Sequence, residues 1–137
     1  MAGKLCDQGE TFLANAALKS AAESANLYLG LYKVPTSEPA ETALLTDLTE
    51  PAGVDGYARI ALPAAGWTIS GINPTVAEQP QKVFTAANAW GNVYGYFVTD
   101  DPSANAGNMI AAEQFSDAPY DVPANGVIKI TPKLTWG

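Results

Sequence analysis

The sequence contains no histidine and a single cysteine, and both shortages exclude classes of function. Without histidine the chain cannot form a Ser-His-Asp or Cys-His catalytic arrangement, nor a zinc site built on imidazole ligands. Cys6 is the only cysteine, so no disulfide can form within the chain, and no histidine is present to activate its thiol. We therefore expect Cys6 to be a reduced thiol that packs near the N-terminus.

Positive charge is also scarce. The chain has 7 Lys and Arg residues against 14 Asp and Glu residues, for a net charge of −7, and no two basic residues are adjacent. Nucleic-acid binding requires clustered cations that neutralise phosphates, and an anionic membrane surface would repel an acidic chain. No segment approaches the roughly 18 consecutive apolar residues of a membrane span, and the N-terminus lacks the apolar run of a signal peptide. We expect a protein that binds neither nucleic acid nor membrane and is assembled in a cytoplasm.

The composition that remains is typical of a small protein that packs against other proteins. Hydrophobic residues make up 47% of the chain and charged residues only 15%, so uncharged polar residues supply much of the surface. The 137 residues suit one domain, which at this size buries about two-thirds of its surface on folding. Such a domain needs neither a disulfide nor a metal to fold, and we expect no cofactor.

Helical periodicity is confined to the N-terminal part of the chain. Between residues 10 and 24 small or apolar residues recur at spacings of three and four, and Glu10 lies favourably in the first turn of the predicted helix. The pattern predicts an N-terminal arm over residues 1–9. It also predicts a single domain over residues 10–137 that includes a helix over residues 10–24.

From Asn26 onward the hydrophobic period changes to two, which is typical of β-strands. Residues 34–55 are rich in proline and acids and predict a long irregular connection. Residues 92–99 are apolar on both faces, which indicates a strand at the centre of a sheet. Short strands between Gly and Pro turns predict an all-β fold, a β-sandwich or jelly-roll-like domain. The predicted strands are residues 27–32, 57–62, 67–69, 81–85, 92–99, 109–115 and 126–131.

Carboxylates are the remaining groups that could carry chemistry. Asp100, Asp101 and Glu113 lie within or at the ends of neighbouring predicted strands, where paired acids of a glycoside hydrolase would be possible. No fixed motif accompanies them, so we favour a turn closed by the aspartates and a solvated or hydrogen-bonded glutamate. Residues 101–107 contain oxygen ligands, but their proline, misplaced glycine and missing glutamate break the calcium-loop pattern. We expect no enzyme and leave open whether the aspartates hold an ion.

The aromatic residues allow two interpretations. A carbohydrate-binding module stacks its rings in the open, whereas a sandwich core buries them. Trp67 and Phe84 are predicted to lie in the core, whereas Trp90, in a predicted turn, is the best candidate for an exposed ring. Trp136 is expected to pack against a neighbouring subunit or the edge of its own domain. Apolar residues near the N-terminus fit the core and a partner contact equally well. The candidate partner contacts are Leu5, Phe12, Leu13, Trp90 and Trp136.

Several short segments occur in a recognisable order along nearly the whole chain from Gly9. The order resembles that of a family of small virion proteins, the capsid decoration, cement or head-stabilising proteins of tailed bacteriophages. The segments are Gly9-Glu10, Leu27–Tyr32, Gly56–Arg59, Trp67, Val93–Asp100, Ala112–Phe115, Asn125-Gly126 and Ile130–Pro132.

The resemblance implies a β-sandwich, usually a homotrimer, that binds the outer surface of an icosahedral capsid after expansion. Each copy would bridge neighbouring major capsid proteins and resist internal DNA pressure, and many weak contacts would sum through avidity. Residues 1–8 are the segment expected to reach a neighbour, and the expected location is the capsid exterior of the virion. The alternatives, in decreasing order, are a phage tail or baseplate component, a glycan-binding virion adhesin and an enzyme.

Overall fold

The computed structural model describes residues 3–9, 26–71 and 74–136, and within these ranges the chain forms twelve β-strands. The all-β prediction is therefore confirmed. The helix predicted over residues 10–24 lies outside the described residues, and the predicted division into arm and domain stays a prediction. The strands are β1 (Gly3–Leu5), β2 (Asn26–Tyr32), β3 (Ile60–Pro63), β4 (Thr68–Ser70), β5 (Thr75–Glu78), β6 (Lys82–Thr85), β7 (Gly91–Val93), β8 (Gly95–Thr99), β9 (Met109–Gln114), β10 (Tyr120–Val122), β11 (Val127–Ile130) and β12 (Lys133–Trp136).

Eight of these strands form a main sheet in the order β3-β2-β8-β9-β1-β12-β5-β4. Neighbouring strands are antiparallel except β1 and β12, which run parallel. Residues 3–5 of the predicted N-terminal arm thus form β1, a strand inside the sheet between β9 and β12. Its backbone groups find partners on both sides, which holds this part of the N-terminus in the fold.

Two shorter ladders, β6 with β11 and β7 with β10, pack on one face of the main sheet. Their inward side chains and those of the main sheet form one buried cluster, so two layers of β-structure enclose a common core. This is the arrangement that a sandwich requires. The cluster includes Leu29, Leu31, Tyr96 and Val98 from the main sheet and Phe84, Val93, Val122, Ile128 and Ile130 from the ladders.

The other face of the main sheet is also covered. Tyr32, Phe97 and Met109 point to this face and pack against Cys6, Leu45 and Leu48. Two 3-10 turns, Leu45–Asp47 and Gly53–Asp55, are the only regular structure in the predicted connection over residues 34–55 apart from one isolated bridge. Because both faces are covered, β8 is buried at every position, as its sequence predicted.

Cys6 is packed in the fold, as predicted for this thiol. Its side chain is 4% exposed. Burial, together with the negative charges of Asp7 and Glu41, raises the pKa of the thiol to about 11. The thiolate, which is the reactive form, is therefore disfavoured near neutral pH.

Residues 92–99 do not form the single strand that was predicted. The chain breaks at Tyr94, with β7 in one of the ladders and β8 in the main sheet. Gly95 begins β8, and the main sheet leaves no room for a side chain there. Any Cβ at this position would collide with the Glu113 carbonyl oxygen and the Tyr32 ring. Alternation along a segment cannot reveal such a change of sheet. The strands β1, β5, β10 and β12 were not predicted, and β3 begins at Ile60, later than predicted.

A buried ion pair joins the irregular connection to the strand that follows it. Arg59 donates from Nε to Glu50 Oε1 and from Nη2 to Glu50 Oε2, both over 3.0 Å. The two side chains are only 1% and 5% exposed. Tyr57 donates its hydroxyl hydrogen to Glu50 Oε1 over 2.6 Å and accepts a hydrogen bond from the Leu31 backbone N–H over 3.0 Å. Burial and the neighbouring Glu50 carboxylate raise the pKa of the Tyr57 hydroxyl.

The same ion pair also holds the loop between β8 and β9. Arg59 Nη1 donates to the carbonyl oxygens of Asp101 and Ala106 over 2.7 and 2.9 Å, and the Asn105 backbone N–H donates to Glu50 Oε2 over 3.1 Å. The guanidinium lies 5.2 Å from the centroid of the Phe97 ring. Residues far apart in sequence are thus tied to one buried charge pair.

Replacing Glu50 by Gln leaves Arg59 buried without its counter-charge. We expect Glu50→Gln to lower the free energy of unfolding by about 3 kcal/mol or more, as for other broken buried ion pairs. Urea unfolding near neutral pH measures the change. Glu38→Gln is the matched control because Glu38 is exposed. Equal stability of the two variants would contradict the role given to the pair.

Gly30 lies in the middle of β2, where a Cβ would overlap the Phe97 ring. We expect Gly30→Ala to lower the free energy of unfolding by about 1–3 kcal/mol through overpacking. Ala usually suits a strand better than Gly, so the sign is diagnostic. In a Phe97→Leu background the cost of the same change should shrink, and the two substitutions should not be additive. Gly53→Ala, where no atom lies within 4 Å of the new Cβ, is the control.

Candidate interaction surface

The ladder of β6 and β11 covers the core with one face and leaves the other face open. Strand alternation points Phe84, Ile128 and Ile130 inward. The outward positions are opposite one another in pairs, Val83 with Lys129 and Thr85 with Val127. Val83 and Val127 are 48% and 50% exposed. We call the surface formed by Val83, Thr85, Val127 and Lys129 the β6–β11 outer face.

Tyr120 of β10 extends this apolar surface. Its side chain is 39% exposed, and its ring centroid lies 5.0 Å from that of Phe115, which supports the ring from the core side. Tyr120 and Lys129 line two open grooves, one of about 360 Å³ that also includes Val127 and one of about 290 Å³ that also includes Lys133. The sequence did not single out Tyr120, because it stands between Pro119 and Asp121 in a segment without strand alternation.

Three of the seven basic residues of the chain belong to the β6–β11 ladder or to the strand that follows it. Lys82 and Lys129 belong to the ladder itself, and neither forms an ion pair with a residue that the structure describes. Lys133, at the edge of the second groove, lies 3.1 Å from Glu78 in a partly exposed ion pair. The β6–β11 outer face therefore combines half-exposed valines with the charge of Lys129, and Asp121 lines the same groove as Val127 and Lys129.

The structure separates the five predicted partner contacts. Leu5 is partly buried and packs against the core cluster. Trp90 is only 3% exposed, so the prediction of an exposed ring is wrong. Its indole N–H donates to the Asp55 carbonyl oxygen over 3.0 Å, and its ring meets Tyr57 edge-on at 5.7 Å, which makes the buried position favourable.

The remaining three positions stay predictions. Trp136 belongs to β12, where its backbone is paired with Thr75. Phe12 and Leu13 lie outside the described residues. Contact of the five residues with a partner protein stays a prediction. Trp67 and Phe84 were both predicted to lie in the core. Phe84 is buried in the core cluster, and Trp67 is partly buried and packs against it.

The carboxylates considered for catalysis have structural partners. Asp100 accepts hydrogen bonds from the Asn108 backbone N–H over 2.7 Å and from its side-chain amide over 2.9 Å. Asp101 accepts from the Ser103 backbone N–H over 2.7 Å. These contacts are those of a turn. Within residues 3–9, 26–71 and 74–136 no three metal-ligating side chains come together in a possible ion site, and no helix there has the length and apolar character to cross a membrane.

Glu113 is buried at 7% exposure and accepts a hydrogen bond from the Tyr96 hydroxyl over 2.8 Å. Burial raises the pKa of this carboxyl because the charged form loses hydration, although the Tyr96 hydrogen bond acts in the opposite direction. The folded state is therefore less stable when Glu113 is ionised than when it is protonated.

The raised pKa predicts a pH-dependent difference between the protein and Glu113→Gln. A carboxyl with a raised folded-state pKa contributes stability below its unfolded pKa and loses that contribution as the pH rises through the folded pKa. The stability of Glu113→Gln relative to the unmodified protein should thus be more favourable at pH 8 than at pH 4. Urea unfolding at both values measures it. A relative stability that moves in the opposite direction would show that the carboxylate is stabilised in the fold.

Comparison with known proteins agrees with a phage origin. No curated protein matches the chain. The family model described as podophage GP4 fiber I protein gp80 matches residues 5–133, which is nearly the whole chain and includes every strand from β2 to β11. The resemblance to phage virion proteins is confirmed at that level, whereas the narrower assignment to capsid decoration proteins is not. The chain belongs to the podophage GP4 fiber I protein gp80 family and is a structural protein of a phage virion.

Proposed function

We propose that the protein is a non-catalytic subunit of a fibre on the outside of a phage particle. The match of the fiber family over residues 5–133 is the observation that carries this proposal. A fibre subunit acts by binding its neighbours, and the β6–β11 outer face supplies exposed apolar side chains for such contacts. The acidic composition suits a surface that faces solvent and not nucleic acid.

The use of the acidic side chains supports a non-catalytic role. Glu50 neutralises Arg59, the aspartates at 100 and 101 close a turn, and Glu113 is hydrogen bonded to Tyr96. Each carboxylate considered for chemistry thus has a structural task. The proposed subunit needs no cofactor, because its contribution is the free energy of protein contacts summed over many copies.

Capsid decoration is the second candidate, and the order of segments along the sequence favours it. In that role each copy would bridge major capsid proteins on the outer shell, as a homotrimer. The family description names a fiber instead. A fibre anchored on the capsid would join the two roles, so the position on the particle is what must be measured.

Immunogold electron microscopy of a phage that encodes an epitope-tagged form of this chain tests the proposal. We expect gold on thin projections of purified particles. Labelling spread evenly over the shell, together with saturable co-sedimentation of the purified protein with shells that lack it, would replace the fibre role by capsid decoration. Particles with full infectivity and no label would overturn a virion role altogether. An untagged phage is the control for background labelling.

A further inference from the structure

The strands β10 and β11 follow each other in the chain but do not pair with each other. The turn that joins them is closed by a hydrogen bond from the Gly126 N–H to the Pro123 carbonyl oxygen over 2.9 Å. Consecutive strands joined by such a short turn usually pair as a hairpin. Within the described part of the chain, however, β10 pairs only with β7, and β11 pairs only with β6. Each of the two strands therefore has an edge that no described strand covers.

Both strands line the same open groove. This groove, of about 360 Å³, is lined by residues 119–123 and by residues 127–129 of β11. The groove of about 290 Å³ shares Tyr120, Ile128 and Lys129 with it and extends along the chain to Thr131. No residue of β6 lines either groove. The two grooves therefore follow the edge of β11 that faces away from β6.

The hydrogen-bond pattern indicates which backbone groups face this edge. In an antiparallel ladder, residue pairs that exchange hydrogen bonds alternate with pairs that do not. At the end of the ladder the Ala86 N–H donates to the Gly126 carbonyl oxygen over 2.9 Å. By alternation Ile128 bonds to β6, whereas Val127 and Lys129 direct their N–H and C=O groups away from β6. No strand in the described part of the chain pairs with these groups.

The side chains around the grooves favour a partner that is recognised through its backbone. Asp121 and Lys129 carry opposite charges and line the same groove, so charge selects neither an acidic nor a basic ligand. Tyr96 and Phe115, which are 3% and 8% exposed, line the second groove with Ile128. An extended segment directs alternate side chains to one face. A segment beside β11 would therefore place every second side chain towards these rings.

We propose that an extended segment of another virion protein adds as a strand to the edge of β11 that faces away from β6, with apolar residues at alternate positions. In this mode of recognition, main-chain hydrogen bonds supply affinity and alternate side chains supply specificity. The described strands β1 and β12 are both paired inside the main sheet, so neither is available as the added strand of a second copy. The inference rests on the proposed place of the chain in a fibre, where such a strand would hold the subunit.

Proline substitutions test the edge, because proline removes a backbone N–H and suits a strand only where that N–H lies outside the ladder. Lys129→Pro should lower the amount of the chain on purified particles roughly tenfold, since the added strand loses a hydrogen bond and meets the proline ring. Val83→Pro is the matched control, because Val83 is opposite Lys129 and its N–H faces the other edge of the ladder. Lys129→Ala keeps the N–H and should leave the amount unchanged.

Quantitative immunoblots of particles from phages that encode the tagged variants measure these amounts. Circular dichroism and urea unfolding of the purified variants establish that each is folded before the amounts are compared.

Hydrogen exchange gives a second readout, at the backbone itself and without a substitution. In the purified protein the Val127 and Lys129 amides should exchange faster than the amides of Ile128 and Ile130, which bond to β6. On assembled particles the Val127 and Lys129 amides should become protected, so a peptide that covers β11 should exchange more slowly than in the purified protein. This comparison decides the matter even if Lys129→Pro does not fold.

Several results would overturn the inference. Lys129→Pro could be present on particles in the normal amount, or Val83→Pro could be lost to the same extent. Slow exchange of the Val127 and Lys129 amides in the purified protein would show that the edge is already covered. Unchanged exchange on particles would show that no strand is added. Self-association of the purified protein that Lys129→Pro abolishes would identify a second copy as the donor.

These outcomes are distinct from failure of the proposed function. Gold labelling of the unmodified chain tests the fibre role independently. A chain that is found on projections of the particle, and that keeps its place there as Lys129→Pro, would be a fibre subunit held by other contacts.

Discussion

The buried pair of Arg59 and Glu50 is the interaction on which the irregular half of the fold depends. Residues 34–55 cover one face of the main sheet with hardly any regular structure, so their backbone and side-chain polar groups need partners from elsewhere. Arg59 supplies donors in three directions, to Glu50 and to two carbonyl oxygens of the loop between β8 and β9. A lysine could not replace this planar fork. The pair therefore fixes one conformation of residues 34–55 and of the loop between β8 and β9, which would otherwise adopt many conformations.

The position of this pair explains why the sheet can be buried on both faces. The guanidinium lies over Phe97, and Gly30 leaves room for the same ring in the adjacent strand. On the opposite face the ladders bury a larger apolar cluster. Almost every large side chain of the central strands is thereby used for packing, and the exposed apolar side chains are left at the periphery. The β6–β11 outer face belongs to this periphery, which is where contacts with other proteins can form without disturbing the core.

The family assignment and the structure support each other at the level of a virion protein. A fibre or shell component must be stable, and it must present surfaces that bind its neighbours. The central sheet, covered on both faces, provides the stability. The low share of charged residues favours binding to neighbours, because fewer charges have to be desolvated when two surfaces come into contact. The difference between fibre and capsid lies in the partner, which no single chain specifies.

Local patterns were enough to predict the all-β class, the strand β2 with its alternating leucines, the fully buried β8 and the irregular connection before Arg59. These features depend on periodicity and on proline, which act over a few residues. The sheet to which each strand belongs depends on contacts between distant residues, so the break at Tyr94 and the placement of β1 beside β12 were decided only by the tertiary structure. The same holds for the site. Trp90 is buried because Asp55 and Tyr57 contact it from another segment, whereas Tyr120 is partly exposed on a strand that pairs with β7, and both placements depend on residues far away in the sequence.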